Sequence, residues 1–243
     1  MNRLYAFFRS SFVDIFRRIG FDYVGVAKHP KFALLGIKKY QIHTIIDVGA
    51  NTGQFAKDIL RIFPDAELYC FEPLPTVFHD LKEWSKSSKN DQVKVFNLAL
   101  GDHDGMEEIY FHNEHSPSSS LLKTTKTTEL LYPMTRKQKS ITVPLRTIDN
   151  VLGEVLKDAH GNILIKVDVQ GYEDRVICGG EKIFSKAKAV ILELCLDRLY
   201  ENQAGFKDIV LLMDDLGFHY AGNLEQIYAD DGHVVFFDAV FIK

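Results

Sequence analysis

Thr44-Ile45-Ile46-Asp47-Val48-Gly49-Ala50-Asn51-Thr52-Gly53-Gln54-Phe55 passes from an apolar, β-branched run through a glycine turn into a helical pattern. Thr44 to Val48 has the composition of a central parallel strand covered on both faces. Gly49 and Gly53 permit backbone angles or close approaches that a side chain would block. Phe55, Ile59, Ile62 and Phe63 then fall at helical spacing before Pro64 ends the pattern. In an open α/β sheet a ligand binds at such a turn, beyond the carboxyl end of the first strand.

The charge of the turn selects the kind of ligand. A dinucleotide pyrophosphate wants bare backbone with the spacing G-x-G-x-x-G. Here Asn51 and Gln54 stand where the second and third glycines would fall, and Asp47 puts negative charge beside the loop. NAD is therefore disfavoured. A carboxylate next to a single glycine turn suits a cofactor that carries positive charge, and S-adenosylmethionine carries an ammonium and a sulfonium. Glu67 to Phe71 reads as a second strand, and Glu72 at its end could accept both ribose hydroxyls. An acid there serves NAD equally well, so Glu72 alone does not decide. A helix-capping turn with an incidental aspartate is the plain alternative.

Beyond Glu72-Pro73, Thr76 to Trp84 reads as a helix and Val93 to Leu98 as a third strand, completing a βαβαβ half-sheet. Asn97, Leu98 and Ala99 close that strand on the edge shared by Gly49 and Glu72, where an adenine ring needs an apolar slot and a polar contact. Glu107 to His112 and Ser140 to Arg146 pair as a hairpin whose connection, residues 113–138, is hydroxyl-rich and basic. A connection of that length is either functional, here for substrate contact, or disordered. His112 and His115 lack an accompanying carboxylate cluster, so no metal is expected. Asp149 or Asn150 caps a helix running to about Lys157.

The strand Ile163-Leu164-Ile165-Lys166-Val167-Asp168-Val169 carries two charges on one face of an otherwise apolar run. Two readings stand, a structural salt bridge and an acid/base pair facing substrate. Gln170 to Glu173 turns into a helix to about Ile183, and Ala189 to Cys195 is the next strand, with Glu193 as a carboxylate that must find a partner or hold a proton. A helix from Phe206 to Leu216 and strands over Phe218–Ala221 and Val234–Ile242 close the chain.

At 243 residues and 46% hydrophobic, the chain is long enough for one domain with a full core. A net charge of -4 and a pI near 6.1 argue against broad binding to nucleic acid. Cys70, Cys178 and Cys195 lack metal-ligand spacing and read as buried free thiols of a cytoplasmic protein. Leu4, Phe8, Phe12, Ile15 and Ile19 form one helical stripe among arginines. The helix is too polar to span a bilayer, so residues 1–20 pack on the domain or a second subunit as a homo-oligomer contact, or rest on an anionic membrane surface.

Asp47 to Phe55, Phe71-Glu72-Pro73, Ser119-Ser120-Leu121, Thr147-Ile148-Asp149 and Lys166-Val167-Asp168-Val169-Gln170-Gly171-Tyr172-Glu173 together resemble the FkbM family of S-adenosylmethionine-dependent methyltransferases. The resemblance implies a Rossmann-like class I α/β fold: a seven-stranded, mostly parallel sheet with an antiparallel last strand and helices on both faces. The resemblance spans roughly residues 44–195; the residues themselves divide the chain into an N-terminal helical arm, residues 1–43, and a methyltransferase domain, residues 44–243, with a hairpin and loop insertion near 106–146. It implies methyl transfer to oxygen, commonly a hydroxyl of a sugar or secondary metabolite. By position Asp47, Gly49, Asn51, Gly53 and Glu72 become cofactor contacts, joined by Asn97 and Ala99 from the third strand's edge, and Lys166, Asp168 and Glu173 are motif residues.

For such a transfer Asp168 is the first choice of base, because it ends the strand expected beside the glycine-loop strand. Lys166 orients it or holds its charge, Glu193 is the alternative base, and His115 could swing in from the loop. A cofactor-binding or scaffolding protein without turnover is the competing reading.

Overall fold

The computed structural model describes residues 29, 34–87, 92–112, 116–158 and 163–243. The amphipathic stripe of residues 1–20 and His115 lie outside them. In chain order the elements are β1 (Thr44–Val48), α1 (Gln54–Leu60), β2 (Glu67–Phe71), α2 (Pro75–Ser87), β3 (Val93–Phe96), β4 (Ala99–Leu100) and β5 (Gly105–Phe111). There follow α3 (Lys126–Leu131), β6 (Lys139–Arg146), α4 (Ile148–Leu152), β7 (Ile163–Val167), α5 (Glu173–Cys178) and α6 (Glu181–Lys186). β8 (Ala187–Cys195), α7 (Phe206–Asp215), β9 (His219–Tyr228) and β10 (Val234–Ile242) complete the chain.

The main sheet has seven strands in the order β3-β2-β1-β7-β8-β10-β9. β1 pairs in parallel with β2 on one side and β7 on the other, so the strand order reverses at β1. That reversal opens a crevice at the carboxyl ends of β1 and β7, which positions the site. β10 runs antiparallel to both β8 and β9, as the resemblance implies for the last strand.

All five residues of β1 and of β7 are buried, which explains their near-continuous apolar runs. Alternation sends Ile46 and Val48 into one core with Phe184, Ile209 and Phe218, and Ile45 into the other with Ile59 and Leu81. α2 starts on Pro75, whose fixed φ and missing N–H suit a first helical position. The single helix expected after Gln170 is instead two, α5 and α6, parted at Gly179-Gly180, where the main chain abuts that of Gly101.

Residues 34–42, read from sequence as part of the arm, pack into the domain. Leu34–Lys39 forms a 3-10 turn rather than a longer helix, and Leu34, Ile37 and Ile42 join the core with Leu224 of β9. The hairpin forms as expected, with β5 antiparallel to β6. In the described part of its connection, Ser120 bridges Tyr110, Thr124 bridges Tyr200, and Thr125 caps α3. Cys70 is buried, but Cys195 is half-buried and Cys178 exposed, which corrects the expectation of three buried thiols. Among the described residues no helix is long and apolar enough to cross a membrane.

Candidate active site

A cavity of about 950 Å³ opens at the reversal of strand order. Its walls include the glycine turn, Glu72, Ala99, Ser118–Leu121, Tyr200, Glu193 and Asp238. Asp47, Lys166 and Asp168 also line it.

The glycine turn is held by the strand ends. Gly49 N and Ala50 N both donate to Phe71 O, at 3.0 and 2.9 Å. Gly49 sits at φ 81°, and a Cβ there would lie 1.9 Å from Asp168 O. The chain leaving β1 therefore passes the chain leaving β7 with no room for a side chain. Gly49→Ala forces a left-handed alanine against a carbonyl, and should cost at least about 2 kcal/mol of stability in chemical denaturation. A midpoint equal to wild type would show that the contact relaxes freely.

Glu72 leaves β2 into the cavity at 5% exposure. Its Oε2 accepts from Asn51 N at 3.0 Å and its Oε1 from Leu74 N at 2.8 Å. Each oxygen keeps a lone pair for a further donor. Asn51, itself at φ 49°, is held by the same carboxylate, so loop and acid form one unit. Asn97 does not line the cavity: its Nδ2 donates to Glu72 O and Pro73 O at 2.9 Å each. Gly53 also lies off the cavity, facing Leu81 and Trp84 of α2. Both support the loop from behind instead of walling the site.

Asp47 is fully buried, and among the described residues neither of its oxygens has a hydrogen-bond partner. Burial pushes it up to about 6, with the Lys166 ammonium pulling down and Asp168 pushing up. Burial likewise lifts Glu72 to about 7, against the pull of its two amide donors. A buried carboxylate without partners, a turn stripped of side chain and a second carboxylate with spare acceptor capacity fit a cationic ligand bearing a diol. S-adenosylmethionine meets that description. Asp47 and Glu72 would hold it, and Gly49 would let it approach the main chain.

Such a ligand prefers ionised carboxylates. Its affinity should therefore climb as pH rises through about 6 and about 7, by up to roughly tenfold per unit and group. Calorimetry across this range checks the sign; affinity falling with pH would contradict it.

The segment 168–173 walls the cavity beside the glycine turn. Lys166, opposite Asp47 in the β1–β7 register, places Nζ 2.9 Å from Asp168 Oδ2. Burial works against its charge, and the Asp168 and Asp47 carboxylates outweigh that, holding Lys166 above the ordinary lysine value. Glu173 opens α5 and accepts from Val169 N and Gly171 N at 3.2 and 3.1 Å. Those bonds close a tight loop in which Gln170 takes φ 58° and Gly171 φ 95°. Burial raises Glu173 to about 7 despite its backbone donors. Glu193 faces Asp238 across the β8–β10 ladder, and burial, then Asp168, Glu173 and Asp238, push it well above the usual carboxylate value.

Gln170, Tyr200 and Asp238 were not singled out as site residues by the sequence reading, although Gln170 belongs to a quoted motif. An aspartate inside the apolar run Phe236 to Val240 was the one signal that could have flagged Asp238. Of the two loop histidines, His112 is buried with Nδ1 3.4 Å from Lys137 O.

The model of the FkbM methyltransferase domain matches residues 47–220. The chain belongs to that family. The 2-O-methyltransferase NoeI of Sinorhizobium fredii is 29% identical over 174 residues, 70% of each chain. Methyltransferase 1 of Beauveria bassiana is 25% identical over 186 residues, 73% of this chain and 72% of that protein. A solved structure, precorrin-6y C5,15-methyltransferase from Geobacter metallireducens, is 11% identical, with a TM-score of 0.43 over 87% of this chain and 86% of that one. As an FkbM methyltransferase the chain takes S-adenosylmethionine as its methyl donor, and its seven-stranded, mostly parallel sheet is Rossmann-like.

Proposed function

We propose that this FkbM methyltransferase moves a methyl group to a hydroxyl of a sugar, glycan or glycosylated metabolite. The observation that carries the reading is the position of Asp168. It directly follows β7 beside the glycine turn, lines the same cavity as Glu72, and is partnered by Lys166 and Gln170. A carboxylate so placed suits an acceptor that must lose a proton, which an alcohol does and a tertiary amine does not. The relative named as a 2-O-methyltransferase supports oxygen as the acceptor atom. Ser118 and Ser119, partly exposed on the cavity wall, add hydroxyls of the kind a sugar meets.

When bound, the cofactor supplies a methyl group on a sulfonium sulfur. Asp47 would balance its positive charge, and Glu72 would accept from its diol. Asp168 receives the acceptor hydroxyl proton, a role worth roughly 10²- to 10⁴-fold for a positioned base. Lys166 holds Asp168 by its second oxygen, so the carboxylate presents one face to the acceptor. The competing reading, a cofactor-binding protein without turnover, leaves this pair with no task.

The test incubates the full chain with isotopically methyl-labelled S-adenosylmethionine and a panel of methyl glycosides, oligosaccharides and glycosylated metabolites. A labelled methyl ether on a sugar oxygen is expected. Label on nitrogen or carbon, or cofactor binding with no transfer to any member, would count against the proposal. We infer further that residues 1–20 provide the contact to a second copy or to an anionic membrane, as their apolar stripe and arginines suggest.

A further inference from the structure

Every hydrogen-bonding atom of the Gln170 side chain is committed within the cavity wall. Tyr200 Oη donates to Gln170 Oε1 at 2.5 Å, which fixes which way the amide faces. Nε2 then points its hydrogens at two carboxylates, Asp168 Oδ1 at 2.8 Å and Glu193 Oε1 at 2.5 Å. The main chain is held with equal care. Ser120 Oγ donates to Gln170 O at 2.7 Å, while Glu173 gathers the amides on either side of it. The residue so restrained is a non-glycine at φ 58°, a conformation that carries a cost and persists only where its surroundings impose it. Gly171 follows because a Cβ there would press on Tyr200 at 3.0 Å.

We propose that Gln170 is a positioning residue: its amide, oriented by the Tyr200 hydroxyl, sets Asp168 and Glu193 at a fixed spacing as a pair facing the acceptor. Glu193 is faced by Asp168 and Glu173, by Asp238 from β10, and by Lys166 from β7, with Tyr132, Tyr200 and Cys195 nearby. Burial and three acids against one cation favour the protonated form of Glu193, which suits it as a donor to a neighbouring oxygen of the acceptor, beside Asp168 as base. This division rests on the acceptor reading above, but its test needs no acceptor.

The experiment follows the Glu193 carboxyl by carbon NMR in full-length protein labelled at glutamate side-chain carboxyls, with Glu193→Gln identifying the resonance. Two variants are titrated beside wild type. Tyr200→Phe removes only the hydroxyl that orients the amide, and Gln170→Glu replaces the shared donor with an acceptor at constant shape. Loss of Nε2 donation removes a bond that favours the ionised carboxylate, so the Glu193 midpoint should rise by about one unit in both. If one variant does not fold, the other still decides. A midpoint that stays in place or falls overturns the proposal. Failure of S-adenosylhomocysteine to bind would overturn the functional reading and leave this titration standing.

Discussion

Asp168→Asn should lower turnover about a hundredfold or more while S-adenosylmethionine affinity stays within about threefold. The substitution keeps the shape of the side chain and its acceptor for Gln170 Nε2, and removes basicity. It also turns an amide NH₂ toward the Lys166 ammonium, where a carboxylate oxygen now accepts at 2.9 Å, so a modest fall in melting temperature accompanies it. Single-turnover kinetics separates the two constants. Equal losses in binding and turnover would make Asp168 a cofactor ligand, and near-normal turnover would move the base to Glu193.

Glu72→Gln should weaken S-adenosylmethionine by roughly 10- to 150-fold, the effect of losing about 1.5–3 kcal/mol of charge-assisted hydrogen bonding. The sequence suggests an acid devoted to ribose, whose loss leaves the fold alone. The structure adds a second task, since both oxygens also accept main-chain amides, one from the glycine loop and one from the start of α2. Replacing one oxygen by NH₂ sets a donor against one of those amides. Calorimetry should therefore show the weakened binding together with a small loss of stability. Unchanged affinity would remove Glu72 from the site.

The central strands β1 and β7 are legible from residues because they are buried on both faces and so read as near-continuous apolar runs. Asp47, Glu72 and Asp168 stand out for the same reason, being charges at the ends of such runs. Positions defined by backbone angle or distant contacts are less visible. Gln170 takes its place through Tyr200, 30 residues away, and Ser120, 50 residues away, and no local periodicity marks such bonds. Gly53 and Asn97 show the converse. Their motif positions suggest cofactor contact, while the side of the loop they face is set by α2 and by the main chain of Glu72-Pro73. Residues 34–42 look like more helix in sequence, and contacts with β9 override that spacing.

Calorimetric titration of the full chain with S-adenosylhomocysteine, and in parallel with NAD, tests the central claim most directly. The account predicts one equivalent of S-adenosylhomocysteine bound, with stability gained by mass action, about 2.7 kcal/mol at a ligand concentration a hundred times its Kd, read as a raised melting temperature. It predicts no heat with NAD. Binding of NAD, or silence with S-adenosylhomocysteine at millimolar concentration, would contradict the assignment of Asp47, Gly49 and Glu72 to a methyl-donor site.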